Sequence, residues 1–189
     1  FTTKEKSESY YANAFTAVLL TSVLFSGSIF IFAAQIIQFL ELDVQTYIVR
    51  YLAIIFFIDA IVAIPLAKLR LAHNARKFAF ARISSIVLNI IFNLCFLLLF
   101  PFLAKSGWMN WASQEPYDIG YVFLANLLAN LSMVIILYKE IFMQKLQFHW
   151  PKVKKMLVYA LPILIMGLAG ISVEQLDKII FTHLLPPNF

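Results

Sequence analysis

The chain has 189 residues, of which 62% are hydrophobic and 13% charged, with a formal charge of +5 and a mean hydropathy of +0.84. A soluble globular chain is roughly 45–50% apolar and about 25% charged, so a soluble monomer is excluded, and so is a disordered chain, which needs the opposite balance. The single cysteine, Cys95, lies in an apolar run and allows neither an intrachain disulfide nor a thiolate metal cluster.

An apolar stretch of about 17–25 residues crosses a bilayer as a helix, and five such stretches follow one another. The first is predicted over 9–40, with an uncharged core from Ala14 to Phe39. The second, 47–69, is interrupted at its centre by Asp59, with Arg50 and Lys68 each nine residues away. The third covers 79–104 and is uncharged from Ile83 onwards; the fourth covers 118–139. Residues 140–155 then mix Ile141, Phe142, Leu146, Phe148 and Trp150 with lysines, the pattern of an interfacial linker that ends around Pro151. The fifth span starts at Met156 and stays uncharged to Val173, within a final segment 156–189. No run alternates with period 2, as a barrel strand would, and lipid demands that backbone groups be satisfied internally, which leaves helices. The expected fold class is therefore all-α, a polytopic integral membrane protein with five transmembrane helices. Phe1 in place of Met, and an end at Pro186-Pro187-Asn188-Phe189, read as a piece of a longer polypeptide.

Five helices in series put alternate connections on opposite sides, so the positive-inside rule tests the assignment. Twelve of the fifteen basic residues fall on one side, among them Lys68, Arg70, Arg76, Lys77, Arg82 and the lysines of 139–155. Arg50, Lys105 and Lys178 fall on the other, with Glu41, Asp43, Glu115 and Asp118. The visible amino-terminal end is thus expected to be cytoplasmic. Trp108, Trp111 and Tyr117 suit the opposite headgroup layer. In a membrane chain the basic residues read as topology signal and contact with membrane lipids, with no nucleic acid as partner.

No catalytic motif is present. The glycines make no phosphate loop or dinucleotide fingerprint, and His73, His149 and His183 lack metal-ligand spacing; no cofactor and no metal are expected. The chemistry lies instead in polar residues at membrane depth. Asp59 sits at the centre of its span, where a charge costs on the order of 2.5–3.5 kcal/mol on insertion scales, so it must face protein or water. It is either a hydrogen-bonded structural residue or a cavity wall and ion site. Arg82, Ser85, Asn89 and Asn93 share one face of the third helix, and Asn126 and Asn130 repeat that spacing on the fourth. Interhelical hydrogen bonding explains the asparagines as well as substrate contact does, and Arg82 either snorkels or meets an anion. The fifth helix carries Pro162, Gly167 and Gly170, then Glu174, Asp177 and Lys178. This is the wall of an opening and closing cavity or an ordinary helix end.

Several runs are familiar. Phe57-Ile58-Asp59-Ala60, Ile64-Pro65-Leu66-Ala67-Lys68-Leu69-Arg70 and Lys77-Phe78-Ala79 form one group. Trp150-Pro151, Lys155-Met156-Leu157, Tyr159-Ala160-Leu161-Pro162, Leu168-Ala169-Gly170 and Asp177-Lys178 form a second, with Tyr117-Asp118-Ile119-Gly120-Tyr121 between them. Nearly the whole chain resembles the bacterial oligosaccharide flippases of the multidrug/oligosaccharidyl-lipid/polysaccharide exporter superfamily. The resemblance implies that the five spans are helices three to seven of a two-lobe exporter, with residues 1–139 in the first lobe, 140–155 the cytoplasmic inter-lobe linker and 156–189 opening the second. It implies an inner-membrane transporter, not an enzyme, that moves an isoprenoid diphosphate-linked oligosaccharide to the periplasmic leaflet by alternating access, with a proton or sodium ion as coupling cation. Arg82, Asn89, Asn93 and Lys178 are then candidate substrate contacts, and Asp59, Glu174 and Asp177 candidate cavity or ion-coupling residues. A drug/cation antiporter of the same superfamily and a membrane-embedded glycosyltransferase or polymerase are the competing readings.

Overall fold

The computed structural model describes residues 2–41, 44–99, 119–144 and 146–184; the side chains of 2–6, 174 and 177–184 lie outside that description. The described residues are helical throughout their ordered elements, without a strand: α1 (Thr2–Ile31), α2 (Ala33–Phe39), α3 (Thr46–Leu71), α4 (Ala75–Leu94), a π-helical turn (Cys95–Leu99), α5 (Ile119–Ile136), α6 (Tyr138–Phe142) and α7 (Trp150–Leu184). Five helices, α1, α3, α4 with its π-turn, α5 and α7, are long and apolar enough to cross a membrane. The protein is a multi-pass α-helical membrane protein.

The first span, read from the sequence as a single segment over 9–40, is divided by a bend at Phe32. Phe32 N–H still donates to Ser28 O and Ile36 N–H to Phe32 O, both at 2.9 Å, so the ladder runs through the bend between α1 and α2. The Ser28 hydroxyl donates to Leu24 O at 2.7 Å, and a side chain competing for an i−4 carbonyl bends a helix without proline or glycine. A second such bend, at Leu137, separates α5 from α6, with Leu137 N–H to Met133 O at 2.9 Å and Ile141 N–H to Leu137 O at 3.0 Å. The last helix begins at Trp150, six residues before the predicted Met156. Pro151 falls in its first turn, where the missing N–H has no intrahelical acceptor to lose.

The chain forms two compact units, 1–147 and 148–189. The second consists of α7 and the short approach to it, with Pro162 accommodated inside a helix of 35 residues. In the first unit α3 is central: α1 packs along one side of it, α5 along another, and α4 packs mainly on α5. Lipid tails are as apolar as leucine, so close packing rather than water exclusion holds such helices together. Ala53, Ala125 and Ala129, each no more than 1% exposed, let backbones approach. Toward the basic end the core is filled by the larger side chains of Phe15, Val62, Leu66, Leu69, Met133 and Leu137.

The α3–α4 connection is a three-residue turn with both ends capped. His73 takes a left-handed conformation, φ 51°, and its N–H donates to Arg70 O while Asn74 N–H donates to Leu69 O, the paired bonds of a Schellman ending. Asn74 then caps α4 by accepting from Lys77 N–H at 3.4 Å. This hairpin sets the register between Asp59 on α3 and the polar face of α4.

Candidate functional site

Three helices bring amide and carboxyl groups together at mid-span. Asn130 of α5, buried at 8% exposure, donates from Nδ2 to Asp59 Oδ1 of α3 at 2.9 Å. Asn89 of α4 donates to Asn126 Oδ1 of α5 at 3.4 Å. Asn93 donates to the side-chain oxygen of Asn89 at 2.8 Å and to its carbonyl at 2.9 Å. Spacing aligns the donors and acceptors: positions 89 and 93 on one helix, 126 and 130 on another, lie one turn apart and present one stripe each.

The seam is not sealed on both sides. Asn89, Asn93 and Asn126 are half-buried, whereas Asp59 and Arg82 are exposed. Arg82 lies nearer the basic end of α4, two turns before Asn89. A carboxyl group that is exposed at the centre of a transmembrane helix requires water, a polar ligand or further protein beside it, since lipid would cost several kilocalories. The arrangement can therefore offer donors, acceptors and one guanidinium to a polar guest along one line.

The structure joins Asp59 to Asn130, and Asn89 to Asn93 and Asn126; Arg82 shares the α4 face of Asn89 and Asn93 by spacing. The side chains of Glu174, Asp177 and Lys178 lie outside the described residues; their backbone belongs to α7. Among the described residues no group of three His, Cys, Asp or Glu side chains gathers as metal ligands would. Asn130 as the partner of Asp59 was not read from sequence, although its spacing from Asn126 was; nothing local says that the residue 71 positions on returns to Asp59.

A second polar cluster closes the basic end. Lys77 Nζ pairs with Glu140 Oε1 at 2.5 Å, Tyr11 Oη donates to Glu140 O at 3.2 Å, and Lys68 Nζ lies 4.1 Å from the Tyr11 ring centroid. Gln147 N–H donates to Thr16 Oγ1 at 3.1 Å. These bonds dock the segment after α5 onto α1 and α4, which the sequence reading had treated as a linker from residue 140.

The described residues thus define a multi-pass helical membrane protein whose mid-span amide and carboxyl groups pair between helices. The family profile described as polysaccharide biosynthesis protein matches residues 2–187, and the chain belongs to that family. No curated protein and no solved structure shows a significant match to it.

Proposed function

We propose that the protein is a transporter that carries an isoprenoid diphosphate-linked oligosaccharide from the cytoplasmic to the periplasmic leaflet of a bacterial inner membrane, by alternating access and without covalent chemistry. The observation that carries this reading is the exposed Asp59, held by Asn130 at 2.9 Å, in line with Asn89, Asn93 and Asn126. Sugar hydroxyls need donors and acceptors together, and a primary amide supplies both. Family membership supplies the polysaccharide context. Arg82 is assigned to the diphosphate, because a guanidinium fork binds phosphate oxygens two at a time; Lys178 is assigned a weaker share, and Glu174 and Asp177 the cavity wall on α7. Asp59 is the assigned site of a coupling proton or sodium ion. The basic end is assigned to the cytoplasm by the positive-inside rule.

The test is flipping of a fluorescent isoprenoid diphosphate oligosaccharide by the full-length protein in proteoliposomes, read by protection from an external glycosidase. Arg82→Gln is expected to abolish protection and Arg82→Lys to weaken it; full activity of Arg82→Gln removes Arg82 from the site. Absence of flipping by the unmodified protein overturns the transport reading. For orientation, on a Cys95→Ala background, an impermeant thiol reagent should label Gln45→Cys in intact cells and His73→Cys only after permeabilisation; the reverse pattern overturns it.

A further inference from the structure

A groove of about 220 Å³ runs between α1 and α3, away from the polar seam, where Val23, Ser26, Gly27 and Phe30 face Ala53 and Phe57. Three features of it are unexplained by packing within the protein. Gly27 lies inside a helix, where glycine costs about 0.8–1.0 kcal/mol relative to alanine, yet a Cβ added there would meet nothing within 4 Å. The Ser26 hydroxyl, on a residue 6% exposed, has no hydrogen-bond partner, whereas Ser22 and Ser28 on the same helix bond back to Val18 O and Leu24 O. Arg50 stands at one mouth of the groove, its guanidinium 5.4 Å from the Phe30 ring centroid, and the ion pair among the described residues, Lys77–Glu140, does not involve it.

We propose that this groove is a binding site for an anionic glycerophospholipid: one acyl chain lies along Gly27, Ala53 and Phe57, an ester carbonyl accepts from Ser26 Oγ, and the phosphate pairs with Arg50. Size and charge select this occupant. A helix is about 10–12 Å across, too wide to enter 220 Å³, whereas a single hydrocarbon chain enters it. The groove is apolar with a cation, Arg50, near its end, which matches a molecule with a tail and a single anionic head. Ser26 is one turn below Phe30, about 6 Å along the axis at 1.5 Å per residue, which is where ester groups lie beneath a phosphate at Arg50. The site is independent of the transport reading.

Native mass spectrometry of the purified protein in detergent micelles tests it, with phosphatidylglycerol, a diacylglycerol of the same chains, and glycerol 3-phosphate as probes. Phosphatidylglycerol should be retained about five-fold better than diacylglycerol, the effect of one cation near a lipid phosphate, and glycerol 3-phosphate should neither bind nor compete. Arg50→Gln should lower phosphatidylglycerol to the diacylglycerol level. Gly27→Leu, which fills open space and raises helix propensity, should remove both, and Gly27→Ala should weaken both. Equal retention by the unmodified protein, Gly27→Leu and Gly27→Ala overturns the proposal, as does competition by glycerol 3-phosphate, which marks a phosphate site without a tail. Disulfide cross-linking of Val23→Cys between copies, on a Cys95→Ala background, also overturns it, because the groove then seats a second copy.

Discussion

Four hydroxyl residues of α1 and the amide and carboxyl residues of α3 to α5 satisfy their polar groups in opposite ways. On α1, Thr16, Thr21, Ser22 and Ser28 each donate to a carbonyl three or four residues earlier in their own helix. On α3, α4 and α5, Asp59, Asn89, Asn126 and Asn130 make their bonds across helices. A hydroxyl is short enough to reach its own backbone, so it can sit in a span without a neighbour. A carboxyl or amide has more acceptors and donors than one turn can satisfy, so it demands a second helix, a ligand or water. The difference teaches that polarity at membrane depth marks a site only when the group is too large to be satisfied locally.

Five substitutions, in four experiments, rank the two solutions against the packing that both rely on. The largest effect should come from Leu137→Ala, which empties a fully buried position in the shared core. A cost of about 2–5 kcal/mol is expected, read as a lowered midpoint of unfolding in mixed micelles; a midpoint within error of the parent would show that this end of the bundle is loosely packed. Next, Asp59→Leu should cost about 1–3 kcal/mol, because the buried Asn130 amide loses its acceptor. If expression and flipping both survive that change unaltered, Asp59 is neither cavity wall nor ion site.

A double-mutant cycle on Asn89→Ala and Asn126→Ala should give a smaller coupling, about 0.6 kcal/mol, the average for such bonds in membranes, in keeping with their 3.4 Å separation. Coupling of several kilocalories would place that pair, rather than Asp59 and Asn130, at the centre of the seam. The smallest effect is expected for Thr21→Val on α1, within about 0.5 kcal/mol of the parent by the same unfolding measurement. A large loss there would erase the distinction between self-satisfied and cross-helix polar groups.

Much of the fold was legible because a bilayer reduces structure to length, hydropathy and charge. The five spans and the common face of Arg82, Asn89 and Asn93 follow from runs and from a 3.6-residue period. The bends at Phe32 and Leu137 were not legible, because neither residue is a helix breaker. The start of α7 at Trp150 was displaced to Met156 because lysines were counted against the span, although charged residues extend a helix readily once it leaves the hydrocarbon. In the site, spacing identified the asparagines but not their partners. Pairing Asn130 with Asp59 and Glu140 with Lys77 depends on which helices are neighbours, and hydropathy is silent on that.

The pairing of Asp59 with Asn130 also has a history in time. The two residues are 71 positions apart, and a ribosome adding about 5–20 residues per second needs roughly 4–14 seconds to cover that distance. Throughout that interval the nascent chain holds a mid-span carboxyl group whose amide donor has not been synthesised. The tightly capped turn at His73 and Asn74 lets α3 and α4 leave the insertion machinery as one hairpin, so that Arg82 arrives within 23 residues of Asp59. Until α5 emerges, the basic residues of this hairpin, Lys68 and Arg82 among them, are the charges that accompany the carboxyl group, and Asn130→Leu, which withholds the donor permanently, should lower the yield of inserted protein.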